Sequence, residues 1–86
     1  AAKSAAAQDL DSDALVRFQA LKAWRAEVAR EHNLPAYVVF HDATLADMAR
    51  IGPQSLDELG TISGVGSKKL HAYGEQILAV LMPSVA

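Results

Sequence analysis

The chain has 86 residues, with eight Lys and Arg against ten Asp and Glu, a formal net charge of −2 and no cysteine. That length suits one domain with a single core, and the missing cysteines exclude disulfides and thiolate metal sites. The charge excludes a module that is basic overall. No apolar run reaches membrane-spanning length, and no signal-peptide block opens the sequence.

Residues 1–11 are Ala-rich and polar, with no apolar face. They read as a linker or frayed end of a larger protein, with residues 12–86 as the domain. A short extension of the next helix is the alternative, since Ala favours helix. Ser12 or Asp13 is then placed to cap a long helix. Its stripe is Leu15, Phe18, Leu21, Trp24, Val28 and Ala29, at spacings of three and four. Trp24 is expected to be largely buried against Phe18, Leu70, Tyr73 or Ile77. Arg25 sits at the stripe edge, where its stem can lie on the core while its head pairs with an acid. Asn33 ends this helix, and Pro35 stops it continuing through Leu34.

The block Leu34-Pro35-Ala36-Tyr37-Val38-Val39-Phe40 has strand-like composition, but no second strand candidate exists to pair with it. It therefore reads as one buried helical turn started by Pro35. By its own chemistry Tyr37 falls in the core. Asp42 is placed to cap a third helix buried through Leu45, Met48 and Ala49 and stopped by Gly52-Pro53. Ser55 and Glu58 form a capping box opening a short helix from Ser55 to Leu59, with Leu56 and Leu59 as core contacts and Gly60 as its end.

Ile62-Ser63-Gly64-Val65-Gly66-Ser67-Lys68-Lys69 reads as a tight turn opening into the last helix. Gly64 and Gly66 supply backbone freedom, and Ser67 is placed as the cap. Lys68 and Lys69 then lie in the first turn, the unfavourable end of the dipole for cations. A bound phosphate would offset that misfit; two solvated lysines at small cost are the alternative. Leu70, Tyr73, Ile77, Val80 and Leu81 carry this helix to Pro83. Gly74 within it suggests that another helix backbone comes close.

No catalytic or metal-binding pattern emerges. His32, His41 and His71 are not spaced as a metal set, Ser63 and Ser67 lack an evident base, and no phosphate loop appears. The expectation is an all-α bundle of about five helices, without a cofactor and without enzymatic chemistry of its own.

Four motifs in order resemble an HRDC domain (helicase and RNase D C-terminal). They are Leu21-x-x-Trp24-Arg25, Leu34 to Phe40, Asp42-Ala43-Thr44-Leu45, and Leu59-x-x-Ile62-x-Gly64-Val65-Gly66 with Tyr73-Gly74. The likeness runs from about Leu15 to Leu81, and the Pro-x-Tyr-Val-Val-Phe block is most similar to that of bacterial RecQ DNA helicases. It implies an auxiliary domain tethered to an ATP-hydrolysing helicase, in the cytoplasm with the nucleoid. It also implies weak contact with single-stranded DNA through an exposed Tyr37, with Lys68 and Lys69 beside the Gly64–Gly66 turn. Other HRDC domains dock on proteins or on their own helicase core, and RNase D-type nucleases carry the domain as well. For docking, Asp42, Asp47, Asp57, Glu58 and Glu75 form the expected acidic face, placed to compete with DNA phosphates for the parent's cations.

Overall fold

The computed structural model describes residues 9–82; of the linker expected over residues 1–11 the first eight lie outside them, as does the stop at Pro83. Five helices follow in the expected order: α1 Ser12–Glu31, α2 Ala36–Val39, α3 Asp42–Ile51, α4 Leu56–Gly60 and α5 Ser67–Leu81. No strand occurs among the described residues. The long α1 packs on α2, α3 and α5, and α4 lies against α5.

The expected stripes form the core. Phe18, Leu21, Leu45, Met48, Ala49, Leu59 and Ile77 are buried, joined by Val39 of α2 and by Phe40, Ile62 and Val65 from the connections. Each large apolar side chain removed from water contributes about 1.5–3 kcal/mol. Asp9 to Asp11 already belong to this packing. Leu10 rests on the core, and the Asp11 carboxylate accepts from the Ala14 N–H at 2.8 Å as the cap of α1.

Caps are where local expectation slips. Asp11 takes the place given to Ser12 or Asp13, His41 precedes α3 in place of Asp42, and Gly66 precedes α5 in place of Ser67. In each case the residue with extended backbone lies one or two positions earlier, and the expected cap is already helical. Asn33 does end α1, at a φ of 55°, and the Leu34 N–H reaches back to the Ala29 carbonyl at 2.9 Å. That is a left-handed helix stop of the Schellman type. Gly52 also ends α3 in a left-handed conformation, at a φ of 62°, but in the simpler form with one bond from its N–H to the Met48 carbonyl at 2.9 Å, since Pro53 has no N–H to give. The capping box forms, with the Glu58 N–H on Ser55 Oγ at 3.1 Å, although the Glu58 carboxylate accepts from the Gln54 N–H and not from that of Ser55.

Three packing expectations change. Trp24 is half-buried and meets Phe40 and Tyr73, while its indole N–H donates to Gln76 at 3.1 Å. Leu56 is 39% exposed, and it is this side chain, not a helix backbone, that Gly74 admits. A Cβ on Gly74 would stand 2.6 Å from Leu56 Cδ2. The α2 turn buries only its end: Val39 and Phe40 point inward while Leu34, Tyr37 and Val38 face solvent.

Candidate nucleic-acid interface

Phe40 is the piece that joins the aromatic block to the start of α5. Its carbonyl, one residue past α2, accepts a 2.8 Å hydrogen bond from the Arg25 guanidinium. Its ring lies 6.2 Å from Trp24 and 6.1 Å from Tyr73, the latter edge to face. The Lys69 ammonium sits 5.1 Å above the same ring. The α2 turn is thus fastened to α1 by Arg25 and Trp24 and to α5 by Tyr73 and Lys69.

Arg25 does more than the sequence suggested. It is buried within α1, and besides Phe40 it holds the Asp42 carboxylate at 2.7 Å. One guanidinium therefore bridges the last carbonyl region of α2 and the first residue of α3. Its Nε is buried with no partner. Tyr37, across the turn, is 61% exposed, as the family resemblance implied and contrary to its own apolar chemistry. Its ring stacks on that of His41, 6.1 Å away at an interplanar angle of 28°.

The turn before α5 uses its two glycines differently. Gly64 has a φ of 95°, and a Cβ there would lie 2.4 Å from Thr44 Oγ1 on α3. Only glycine fits that turn, which presses Val65 into the core. Gly66 has an ordinary φ of −76°, and a Cβ would meet nothing within 4 Å. The expectation that both glycines are needed for backbone freedom holds for Gly64 alone; Gly66 instead leaves the helix start open. No side chain caps α5 and no acid lies in its first turn. Lys68 is exposed beside it, and Lys69 is half-buried over Phe40.

The five acids do not form one face of the same kind. Asp42 is held by Arg25, Asp47 by Arg50 at 2.5 Å, and Glu58 by its capping role. Asp57 and Glu75 are exposed, Asp57 in the first turn of α4 and Glu75 on α5. Arg50 also binds Asp9 at 2.7 Å, Arg30 pairs with Glu27, and Arg17 donates to the Ala49 carbonyl near the end of α3 at 2.7 and 2.9 Å. Most arginines are thus engaged within the domain, which leaves the two lysines at α5 as the cations beside the aromatic block. Among the described residues no group of His and acidic side chains is arranged to hold a metal. No described helix is long and apolar enough to cross a membrane.

The stripe edge foretold a buried Arg25 stem with an acid for its head, but not the bond to Phe40, and nothing local pointed to His41. Arg25 follows Trp24 on α1, but its partners lie 15 and 17 residues away. His41 stands four residues after Tyr37, a spacing that puts two side chains on one face of a helix. The α2 helix stops between them, so the spacing carried no weight on its own.

Comparison with known proteins gives this arrangement a context. The HRDC domain family model matches residues 14–81. ATP-dependent DNA helicase UvrD2 of Mycobacterium tuberculosis is 41% identical over 75 residues, which is 87% of this chain and 10% of that protein. ATP-dependent DNA helicase RecQ of Haemophilus influenzae is 42% identical over 64 residues, 74% of this chain and 10% of the helicase. Ribonuclease D of Sphingobium indicum is 35% identical over 71 residues, 81% of this chain and 18% of that protein. The solved D. radiodurans RecQ HRDC domain 3 superposes with a TM-score of 0.79 at 38% identity, covering 83% of this chain and 93% of that one. The chain spans about a tenth of the length of the curated helicases it matches.

Proposed function

This chain belongs to the HRDC domain family, and from that premise we propose that it is a non-catalytic accessory domain of an ATP-dependent DNA helicase, tuning the parent's hold on DNA. Residues 12–86 make up the domain, with Asp9 to Asp11 packed on it as its lead-in, and the residues before them tether it. The parent is of the RecQ type, and it works on DNA in the cytoplasm, at the nucleoid. A UvrD2-type parent is the second reading, favoured by one observation: that likeness runs over 75 residues where the RecQ likeness runs over 64.

The contact with single-stranded DNA runs through Tyr37, Lys68, Lys69 and the open backbone at Gly64 and Gly66. The observation that carries it is the Phe40 joint, which fixes an exposed aromatic ring and a lysine-flanked helix start on one rigid frame. A tyrosine face offers a base about 1–3 kcal/mol of stacking, and the lysines neutralise phosphates. Affinity is low, at or weaker than the ~10⁻⁴–10⁻⁶ M of non-specific binding, because few cations are uncommitted.

Titration of the chain with single-stranded oligonucleotide at low salt tests this reading. Tyr37→Ala weakens binding with little change in its salt dependence. Lys68→Ala lowers the salt slope by about 0.7 for the lost contact. Binding that survives Tyr37→Ala, Lys68→Ala and Lys69→Ala together would refute this placement and move the site to Arg17, Lys22 and Arg30 on α1.

Docking on the helicase core is the competing role, and the net charge of −2 favours it. Asp42, Asp47, Asp57, Glu58 and Glu75 would then meet the core's cations at an effective concentration of order mM. Deleting residues 12–86 from the parent separates the two roles. DNA affinity that stays level or rises, measured at two salt concentrations, supports docking; a loss supports direct contact.

A further inference from the structure

His41 stands where α3 begins but does none of the work of a cap. Its carbonyl accepts from the N–H groups of Thr44 and Leu45 at 3.1 and 3.2 Å, so only its backbone takes part in opening α3. Its side chain makes no capping bond, at a position where Ser, Thr, Asn and Asp are preferred for making one. The imidazole is instead exposed and lies against Tyr37. Tyr37 and Val38 lie on α2, and Leu34 and His41 flank it outside the helix. All four are exposed. The outward side of the α2 turn is therefore a small apolar and aromatic surface with two near-parallel rings.

We propose that His41 is a second base-stacking residue, so that Tyr37 and His41 together form a platform for two neighbouring bases of a single strand. The inference rests on the nucleic-acid reading of Tyr37 and extends it. The two exposed rings, with centroids 6.1 Å apart and planes 28° from parallel, are near enough for one strand to reach both. Stacking of this kind is tolerant of sequence, because every base has a π face. The acid next to His41 does not spoil the surface for a polyanion, because Arg25 binds the Asp42 carboxylate from within. The Lys69 ammonium lies over Phe40, the residue before His41.

The test measures binding of the whole 86-residue chain to a fluorescent oligothymidylate at low salt, for wild type, Tyr37→Ala, His41→Ala and His41→Phe. Because the imidazole holds no structural bond, these His41 variants should keep the wild-type melting curve, which is checked first. His41→Ala is expected to weaken binding about five-fold or more, the loss of one stacked base. His41→Phe keeps a flat π face and should bind within about two-fold of wild type. Wild-type affinity in His41→Ala, with Tyr37→Ala impaired, overturns the inference and leaves the Tyr37 reading standing. Equal loss in His41→Ala and His41→Phe also overturns it, because the residue would then act through its nitrogens. Binding unaffected by Tyr37→Ala, or no wild-type binding at all, removes the reading on which the inference rests.

Discussion

Two arginines in this domain grip aspartates at the same distance and do different things. Arg25 meets Asp42 at 2.7 Å with its side chain 8% exposed, and Arg50 meets Asp9 at 2.7 Å with its side chain 40% exposed. Around Arg25 the bridge joins three helices and carries the Phe40 carbonyl with it. Around Arg50 it ties the lead-in to α1 against α3, in water, with Asp47 on the same guanidinium. Bond length says nothing about which matters. Solvent does: water screens and competes at Arg50, whereas at Arg25 the alternative to the bridge is a buried charge without a partner.

The largest expected effect follows directly. Arg25→Ala should cost about 3–5 kcal/mol in denaturant unfolding, the range for breaking a buried pair from one side. Asp42 is 41% exposed and can be rehydrated, which places the loss near the lower end. Arg25→Lys sharpens the comparison. It restores a charge for Asp42 but has no planar fork to reach Phe40 at the same time. Recovery to wild-type stability by Lys would show that the Phe40 bond contributes little and that α2 is held by its aromatic contacts.

Next come the glycines, again one residue type in two settings. Gly64→Ala forces a Cβ into a left-handed φ and onto Thr44, so a loss of about 2–4 kcal/mol is expected. Gly66→Ala, into open space at an ordinary φ, should cost under about 1 kcal/mol. Adding Thr44→Ala to Gly64→Ala should return the steric part of the loss and not the backbone part. A melt in which the two single glycine variants coincide would show that the turn relaxes more easily than its packing implies.

Trp24→Ala ranks third. The ring is half-buried between Phe40 and Tyr73, so about 2–3 kcal/mol is expected, less than the ~3–5 of a fully buried tryptophan. A loss below about 1 kcal/mol would detach Trp24 from the Phe40 joint and leave α2 resting on Arg25 and Tyr73.

How far the sequence reached differs between these settings. Helix periodicity located α1, α3 and α5 and most of their buried faces, because one residue in three or four must meet the core whatever its partners are, while Pro35 and the Ser55–Glu58 box marked the two short helices. The N-caps of α1, α3 and α5 were off by a residue or two, though Ser55 caps α4 as expected, because a cap is chosen by backbone geometry that several neighbouring residues could equally satisfy. Asp42 shows why: its carboxylate is claimed by Arg25, 17 residues back, and His41 is left at the cap position. Tyr37 could not be placed by its own chemistry, since an aromatic ring beside Val38 and Val39 suits a core as well as a surface. The resemblance placed it outside, and the structure agrees. Arg25 was seen as a stem on the core with an acid for a partner, but its reach to Phe40 depends on how α2 packs, which no local pattern encodes.

The surface pair makes the smallest prediction, and the one with a definite pH signature. The hydrogen bond from Arg50, slightly opposed by desolvation and aided by its charge, holds the Asp9 carboxyl below the usual aspartate range. The same contact raises Arg50, which stays charged throughout the accessible pH range. A carboxyl whose folded value is depressed stabilises the fold above its unfolded value, and that contribution disappears as the pH falls through the folded one. Asp9→Asn removes the charge while keeping an acceptor for Arg50. The variant should therefore melt slightly below wild type at neutral pH and low salt, and the two curves should draw together as the pH falls below about 4. Added salt should close the same gap at neutral pH, because both partners face water. The Arg25 bridge, measured through Arg25→Lys in the same buffers, should respond far less to salt. If the Asp9 gap persisted in high salt, the Arg50 pair would be holding the lead-in to α1 alongside Leu10 and the Asp11 cap, and Arg50 would have to be counted with Arg25 as part of the frame.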